Sequence, residues 1–367
     1  MEDLARVPGQ PPAVPTDLDY DLPAEAIAQA PLRERDRARL LVDGAEGVSH
    51  RHVSDLPELV GPGDAVVVND TRVLPARLRM RRATGGAVEV LLLHDRGGGD
   101  WEALVRPSRR LRPGETVVPD VETAGAGVAA GRDGGRVSVE IGDDLGEGRR
   151  VVRVHTGERP LLDVLGDIGT VPLPPYIVAG IDDPERYQTV YARRPASAAA
   201  PTAGLHFTEG LLDRVRGVGA EVVAVELAVG LDTFRPITAE RLEDHKIHTE
   251  RYRVPTEALQ ALNRAERVVA VGTTVVRCLE TWAATGEASG HSRLFIRRPY
   301  EWRVVDALMT NFHLPRSTLL CLLDAFIGPR WRTLYAAALE HGYRFLSFGD
   351  AMFVTRSEPA RAGGGVS

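Results

Sequence analysis

A histidine set among small residues is the first place in this chain where chemistry could be done. In APTAGLHFTE, residues 200–209, His206 follows a Pro-Thr-Ala-Gly turn that itself runs out of three alanines. Thr208 and Glu209 open a helix through Leu211 and Leu212, so His206 stands just ahead of a helix N-terminus. Free N–H groups and the helix dipole favour anions there. An imidazole can act as base or acid near neutral pH. It can equally be a core histidine whose ring is satisfied by backbone groups. Asn311 and His313 repeat the arrangement in TNFHLPRSTLL, ahead of a cap and helix start over Pro315–Thr318. VVNDTRVLPARL (67–78) and GTTVVRCLET (272–281) mix polar and small residues in the same way. His245 and His248 in DHKIHTE are spaced i, i+3 without a third ligand nearby, which suits structural or surface roles better than a metal. Lys246, the only lysine, reads as solvated.

Such residues need a scaffold to bring them together. From Tyr20, LPAEAIAQAPLRERDRARLLV predicts a short helix running into a strand, and AVVVNDTRVLPARLRM a strand, a turn and a second strand. Short β-like runs (AVEVLLL, WEALV, RVSVEI, RVVRV) then continue to about Val154 between glycine-rich turns, of which TAGAGVAAGRDGG is the longest. They predict a small β-barrel or sandwich. After Pro172 strands and helices alternate, through AEVVAVELAVG, TEALQALNRAER, VVAVG and VVRCLETWAATG to a closing strand YRFLSFG. The expected fold class is α/β: a mostly parallel sheet with flanking helices, interrupted by an inserted small β-barrel domain. The expected bounds are 17–71 with 155–357 for the α/β domain, 72–154 for the barrel, and 1–16 and 358–367 for flexible tails. Ligands gather at the carboxyl ends of strands in such sheets, which singles out the exits at 268–274 and 345–350. Neither carries GxGxxG or a Walker sequence.

Bulk properties narrow the class. With 367 residues, two domains are the natural expectation, and 43% hydrophobic with 26% charged residues is ordinary globular composition. No apolar run approaches the ~18 residues of a membrane span, and MEDLARVPGQPPAVPTD has no signal-peptide core. Cys278 and Cys321 are the only cysteines, which predicts a reducing cytoplasm and no structural zinc. The net charge of −6 conceals a basic stretch: ten arginines against four acids between Arg72 and Arg112, hence +6 there and −12 elsewhere. A solvated face is one reading of it, and a surface for a phosphate-rich partner is the other.

Taken together, NDTRVLPARL, PLPPYI, ERYQTVYA, APTAGLHFTEGLL, VGTT with VR, TNFHLPRSTLL and YRFLSFGDAM occur in one order that resembles the S-adenosylmethionine:tRNA ribosyltransferase-isomerase family of queuosine biosynthesis. The resemblance runs from about Tyr20 to Val354. It implies an α/β domain with an inserted barrel, and transfer of the ribosyl part of S-adenosylmethionine to 7-aminomethyl-7-deazaguanine at the tRNA wobble position. The product is epoxyqueuosine-tRNA, with adenine and methionine released. S-adenosylmethionine is then a co-substrate, tRNA the partner, and neither metal, redox centre nor membrane is involved. His206 and His313 are the implied base and acid, with Asp70, Asp306 and Asp350 as the carboxylates available to orient them. Implied substrate contacts are Asn69, Thr71, Arg72, Arg106, Thr202, Ala203, Gly204, Gly272, Thr273, Thr274, Arg277, Asn311 and Asp350. Arg79, Arg81, Arg82, Arg109 and Arg110 are the implied RNA contacts. One pocket is expected to unite His206 with Asn69, Asp70, Thr202, Asn311 and His313.

The chain also departs from the family pattern. LAVGLDTF stands where LHVGxGTF is usual, so Ala228 replaces a histidine and Asp232 a glycine. Arg298-Pro299-Tyr300 stands for PGY, and PASAAAPTAG for GSVAAPTAG. The alternatives are a paralogue with a non-tRNA acceptor and a non-catalytic RNA-binding relic.

Overall fold

The computed structural model describes residues 18–44, 47–120, 137–230, 237, 242–245, 247 and 249–356. Both expected tails, the TAGAGVAAGRDGG linker, Asp232, Lys246 and His248 lie outside the described residues. Where a helix is expected after Tyr20, only 3-10 turns form, at Ala24–Ala26 and Arg35–Arg37. Pro23 and Pro31 explain this, because each lacks an N–H donor and pushes its predecessor out of helical geometry. The chain then enters strands β1 (Arg39–Gly44), β2 (Gly47–His52), β3 (Asp64–Asn69) and β4 (Thr71–Val73).

Six strands follow as an antiparallel barrel: β5 (Arg77–Arg82), β6 (Ala87–Gly97), β7 (Asp100–Arg106), β8 (Thr116–Pro119), β9 (Ser138–Gly146) and β10 (Arg149–His155). They close in the order β5-β6-β7-β10-β9-β8, with β8 pairing back onto β5. Alternate residues fill the interior, among them Leu78, Val90, Ala103, Val139, Ile141 and Val152. Helix α1 (Leu161–Ile168) adds Val164, Leu165 and Ile168 to the same core, so it extends beyond Val154. The short β11 (Gly169–Thr170) then pairs with β5. A Cβ at Gly169 would sit 1.8 Å from the Pro75 carbonyl oxygen, so only glycine lets the returning chain pass the outgoing one here.

The rest of the chain builds the large sheet around β1–β3. Its elements are β12 (Arg194–Ser197, paired with β4), α2 (Glu209–Gly217), β13 (Glu221–Leu227), β14 (Glu250–Arg253), α3 (Thr256–Arg264), β15 (Arg267–Val271), α4 (Thr273–Thr285) and β16 (Ser289–Ser292). Then come β17 (Ala307–Asn311), α5 (Thr318–Ile327), α6 (Trp331–Glu340) and β18 (Ala351–Thr355). The order is β16-β14-β13-β3-β15-β17-β18-β1-β2. This sheet is mixed, not mostly parallel as expected. Four pairings are parallel (β13–β3, β3–β15, β15–β17, β18–β1) and four antiparallel (β16–β14, β14–β13, β17–β18, β1–β2). The physical reason is clearest at β18. One crossover helix returns a chain to the edge where parallel strands begin. Between β17 and β18 there are two helices, α5 and α6, so the chain comes back to the edge it left. The segment expected as a closing strand, residues 343–349, is accordingly the turn into β18, with Leu346 at φ 68°.

One consequence positions everything below. The carboxyl ends of β3, β15 and β17 and the beginning of β18 meet on a single edge, bringing Asn69, Gly272, Asn311 and Asp350 to that side of the sheet.

Candidate active site

Over this edge the 3-10 turn Thr202–His206 and the residues after β17 line a partly open cleft. Of the expected site residues, Thr202, Ala203, Gly272, Thr273, Thr274, Asn311 and His313 line it. Tyr176, Thr310, Ser317 and Ser347 also line it and were not singled out individually, although each falls within a quoted motif or strand exit. Their common signal was the motif and not the residue type. Gly204 is packed behind the lining, where an added Cβ would meet the Tyr191 hydroxyl at 1.9 Å. The small residues therefore serve close packing of the turn as well as access to the cleft.

The Asn311 amide is the hub. Its Oδ1 accepts from Thr202 Oγ1 at 2.9 Å, and its Nδ2 faces His206 Nε2 at 3.2 Å and the Asp350 carbonyl oxygen at 3.4 Å. A carbonyl can only accept, so Nδ2 must be on that side and the amide cannot be flipped. His206 Nε2 is then the acceptor, and the proton of the neutral ring sits on Nδ1. Burial, the largest influence, pushes the His206 pKa down to about 4, with Asp350 partly opposing it. Burial likewise holds His313 at about 3; its Nε2 lies 3.1 Å from Thr310 Oγ1. Tyr335 Oη accepts from the His313 N–H at 2.8 Å and Tyr20 donates to its carbonyl at 2.5 Å, which fixes the backbone. Both imidazoles are neutral at pH 7. His206 lines a smaller pocket with Arg35 and Ser347, and meets the main cleft through Asn311.

Other expected site residues stand elsewhere. Asn69 and Thr71 are consumed in a buried bracket with Leu227: Asn69 Nδ2 donates to the Leu227 carbonyl at 3.0 Å, and Thr71 Oγ1 accepts from Ser197 at 2.8 Å. Asp70 is outside the cleft, beside Glu226 and Arg194, whose Nε is 3.9 Å away. Its Oδ1 is buried without a hydrogen-bond partner among the described residues, and burial followed by the Glu226 charge raises its pKa. Arg194, Glu226 and Thr71 border a second hollow with Arg251 and Ala228. The single expected pocket is thus divided. The bracket at Leu227 accounts for this, because it pulls the β3 exit toward β13 and away from β17.

Asp306 is at the opposite edge: it precedes β17, and its Oδ2 accepts from the Val268 N–H at 2.9 Å near the start of β15. It ties two strand beginnings together and cannot orient either histidine. The Asp350 carboxylate accepts from the backbone N–H of Arg39 and of Arg344, at 2.9 and 2.8 Å, and from the Arg39 guanidinium. Only its carbonyl reaches the hub. Arg277 is buried in α4 and bonded to Glu250. Arg72 pairs with Glu185, outside the cleft. Of the departures, Arg298 forks onto Asp324 at 2.6 and 3.0 Å, and Tyr300 bonds Glu280.

On the barrel, Arg81 and Arg82 are engaged by Asp120 and Glu115, at 2.8 and 2.6 Å. Arg79, Arg106, Arg109 and Arg110 are exposed and make no ion pair among the described residues. Among the described residues no three His, Cys, Asp or Glu side chains group as metal donors, and no helix is long and apolar enough to cross a membrane.

Comparison with known proteins identifies the family. Residues 15–354 match the family model described as queuosine biosynthesis protein. The S-adenosylmethionine:tRNA ribosyltransferase-isomerase of Rubrobacter xylanophilus is 52% identical over 341 residues, 92% of this chain and 96% of that protein. Its counterpart in Thermus thermophilus is 50% identical over 349 residues, 92% of this chain and 98% of its own. The crystal structure of an S-adenosylmethionine tRNA ribosyltransferase from Thermotoga maritima is 33% identical, with a TM-score of 0.49, covering 92% of this chain and 99% of the other.

Proposed function

The chain belongs to the queuosine biosynthesis protein family, an enzyme family, and from that premise we propose that its cleft binds S-adenosylmethionine and that its acceptor is 7-aminomethyl-7-deazaguanine at the wobble position of a tRNA. The reaction is ribosyl transfer with isomerisation, giving epoxyqueuosine-tRNA. The observation that carries this reading is the convergence of the TAGLH turn, the α4 N-terminus and the NFH segment on one cleft.

The chemistry sets the demands on the site. The sulfonium acidifies the C5′ protons, and loss of one gives an ylide. Opening of the ribose expels adenine, which takes up a proton. The acceptor amine attacks C1′, and closure of the epoxide displaces methionine. A largely apolar cleft keeps water from the reactive intermediates, and a neutral imidazole is available to take a proton. His313 faces the cleft directly. His206 acts through the Asn311 amide, which the Asp350 carbonyl orients and which in turn leaves His206 Nε2 as the acceptor. The barrel, which we propose to be a separate inserted domain, presents Arg79, Arg109 and Arg110 to the RNA, and the protein works in the cytoplasm.

One observation favours a second reading. Ala228 borders the second hollow, where a histidine is usual in the family pattern, and this is where a changed acceptor would be felt. Adenine release from S-adenosylmethionine, measured with no acceptor, with a free 7-deazapurine nucleoside and with tRNA carrying the deazaguanine, decides between them. Release only with the tRNA supports the first reading, and release with the nucleoside alone supports the second. No release under any condition contradicts both.

A further inference from the structure

Among the described residues no arginine, lysine, aspartate or glutamate lines the main cleft, yet one of its corners gathers unpaired hydrogen-bond donors. Gly272 caps the 13-residue α4 with φ 92° and ψ 152°, a conformation essentially reserved for glycine, and supplies no side chain to the helix end. Its own N–H is used by the Met309 carbonyl at 2.8 Å. The N–H groups of Thr273 and Thr274 have no partner among the described residues, and both residues line the cleft. The neighbouring helix start differs: at α5 the Ser317 hydroxyl accepts from Leu320 N–H at 3.2 Å and donates to Leu314 at 2.7 Å.

A second observation points to the same corner. Thr274 is 7% exposed, and its Oγ1 is buried without a hydrogen-bond partner among the described residues. Buried hydroxyls find partners in folded proteins, so an orphan beside two free N–H groups marks a place where an acceptor belongs. The positive end of α4 adds to this.

We propose that this corner seats the amino-acid carboxylate of the sulfonium donor, held by the N–H groups of Thr273 and Thr274 and by the Thr274 hydroxyl. The inference rests on the reading of the cleft as the S-adenosylmethionine site. It deepens that reading by assigning an orientation: methionyl end on α4, ribose toward Asn311 and His313. A carboxylate fits better than an RNA phosphate because the remaining lining is mainly apolar and uncharged, and a polynucleotide chain would have to continue across it. Recognition by helix N–H groups also leaves no fixed cation to repel the sulfonium.

The test compares binding of S-adenosylmethionine and its decarboxylated analogue to the wild type and to Thr274→Val, by calorimetry on the full chain. In the wild type, removal of the carboxylate should weaken binding ~10-fold or more, the range of a hydrogen bond to a charged group. Thr274→Val should weaken S-adenosylmethionine by a similar factor, leave the decarboxylated analogue unchanged, and be rescued by Thr274→Ser. Equal binding of the two ligands by the wild type, or equal weakening of both by Thr274→Val, overturns the proposal while leaving the cleft as donor site. Failure of the wild type to bind either ligand overturns both. Unchanged S-adenosylmethionine affinity with lost tRNA affinity in Thr274→Val hands the corner to a phosphate and overturns the carboxylate. A Thr274→Val protein with a lowered melting temperature is replaced by Thr274→Ala, read against the same pair of ligands.

Discussion

At the scale of single residues, the proposed chemistry depends on two histidines kept neutral by burial. The folded His206 pKa of about 4 lies below its ordinary 6.5, so between these values the unfolded chain binds a proton that the folded one does not. Stability must therefore fall as pH drops from 6.5 toward 4. His206→Gln keeps a polar side chain without that ionisation, and should flatten the slope by about one proton, read from denaturant midpoints at pH 7 and pH 5. An unchanged slope would mean that His206 is charged or solvated in the fold. His206 itself was legible from its setting between a small-residue turn and a helix start. Its dependence on Asn311 was not, because a hydrogen bond between residues 105 apart has no local signature. Asp70 and Asp306 illustrate the limit from the other side. A carboxylate next to a motif looks available in sequence, whereas Asp306 is tied to the start of β15 and Asp70 follows a strand bracketed to Leu227.

At the scale of elements, the turn before α2 is held by contact and not by propensity. Gly204→Ala would drive a methyl group into Tyr191, whose Oη and Cζ lie 1.9 and 2.9 Å from the ideal Cβ. The substitution should cost ~1–3 kcal/mol, the range of overpacked cores. Tyr191→Phe removes the nearer atom and should recover part of the loss, which a double-mutant cycle of melting temperatures measures. Additive losses would mean that the two residues are not in contact. The helices α2, α3 and α4 and strands β13 and β15 were legible because each pairs a clear period with a cap or a glycine. Strand β18 was displaced by eight residues in expectation, from 343 to 351, because FLSF is as apolar as a strand while its backbone is a turn. The direction of β18 depends on the count of helices between it and β17, and neither strand carries that information.

At the scale of the whole molecule, the proposed function divides the work between the barrel and the large sheet. The arginine excess of residues 72–112 was legible as a basic region, but its pairing was not: Arg81 and Arg82 are answered by Asp120 and Glu115, which flank the adjacent strand β8 but lie 39 and 33 residues away in sequence. Among the described residues, Arg79, Arg109 and Arg110 are the expected RNA contacts that make no ion pair. Replacing these three with alanine should weaken tRNA binding and reduce the slope of log K against log salt by ~0.7–0.9 for each phosphate no longer neutralised. Replacing Arg81 and Arg82 should change stability more than affinity. The same slope in the triple variant would make the barrel face a solvated surface only.

In the proposed function, ribosyl transfer takes place in the cleft organised by Asn311. The most direct measurement is acceptor-dependent adenine release by Asn311→Ala beside the wild type, with the melting temperature of each recorded. Release by the wild type is expected with deazaguanine-bearing tRNA. The variant should lose ~10²–10⁴-fold, the scale of a positioned acid–base group, in a protein that remains folded at the assay temperature. Near-normal turnover by folded Asn311→Ala would place the chemistry outside this cleft and contradict the claim.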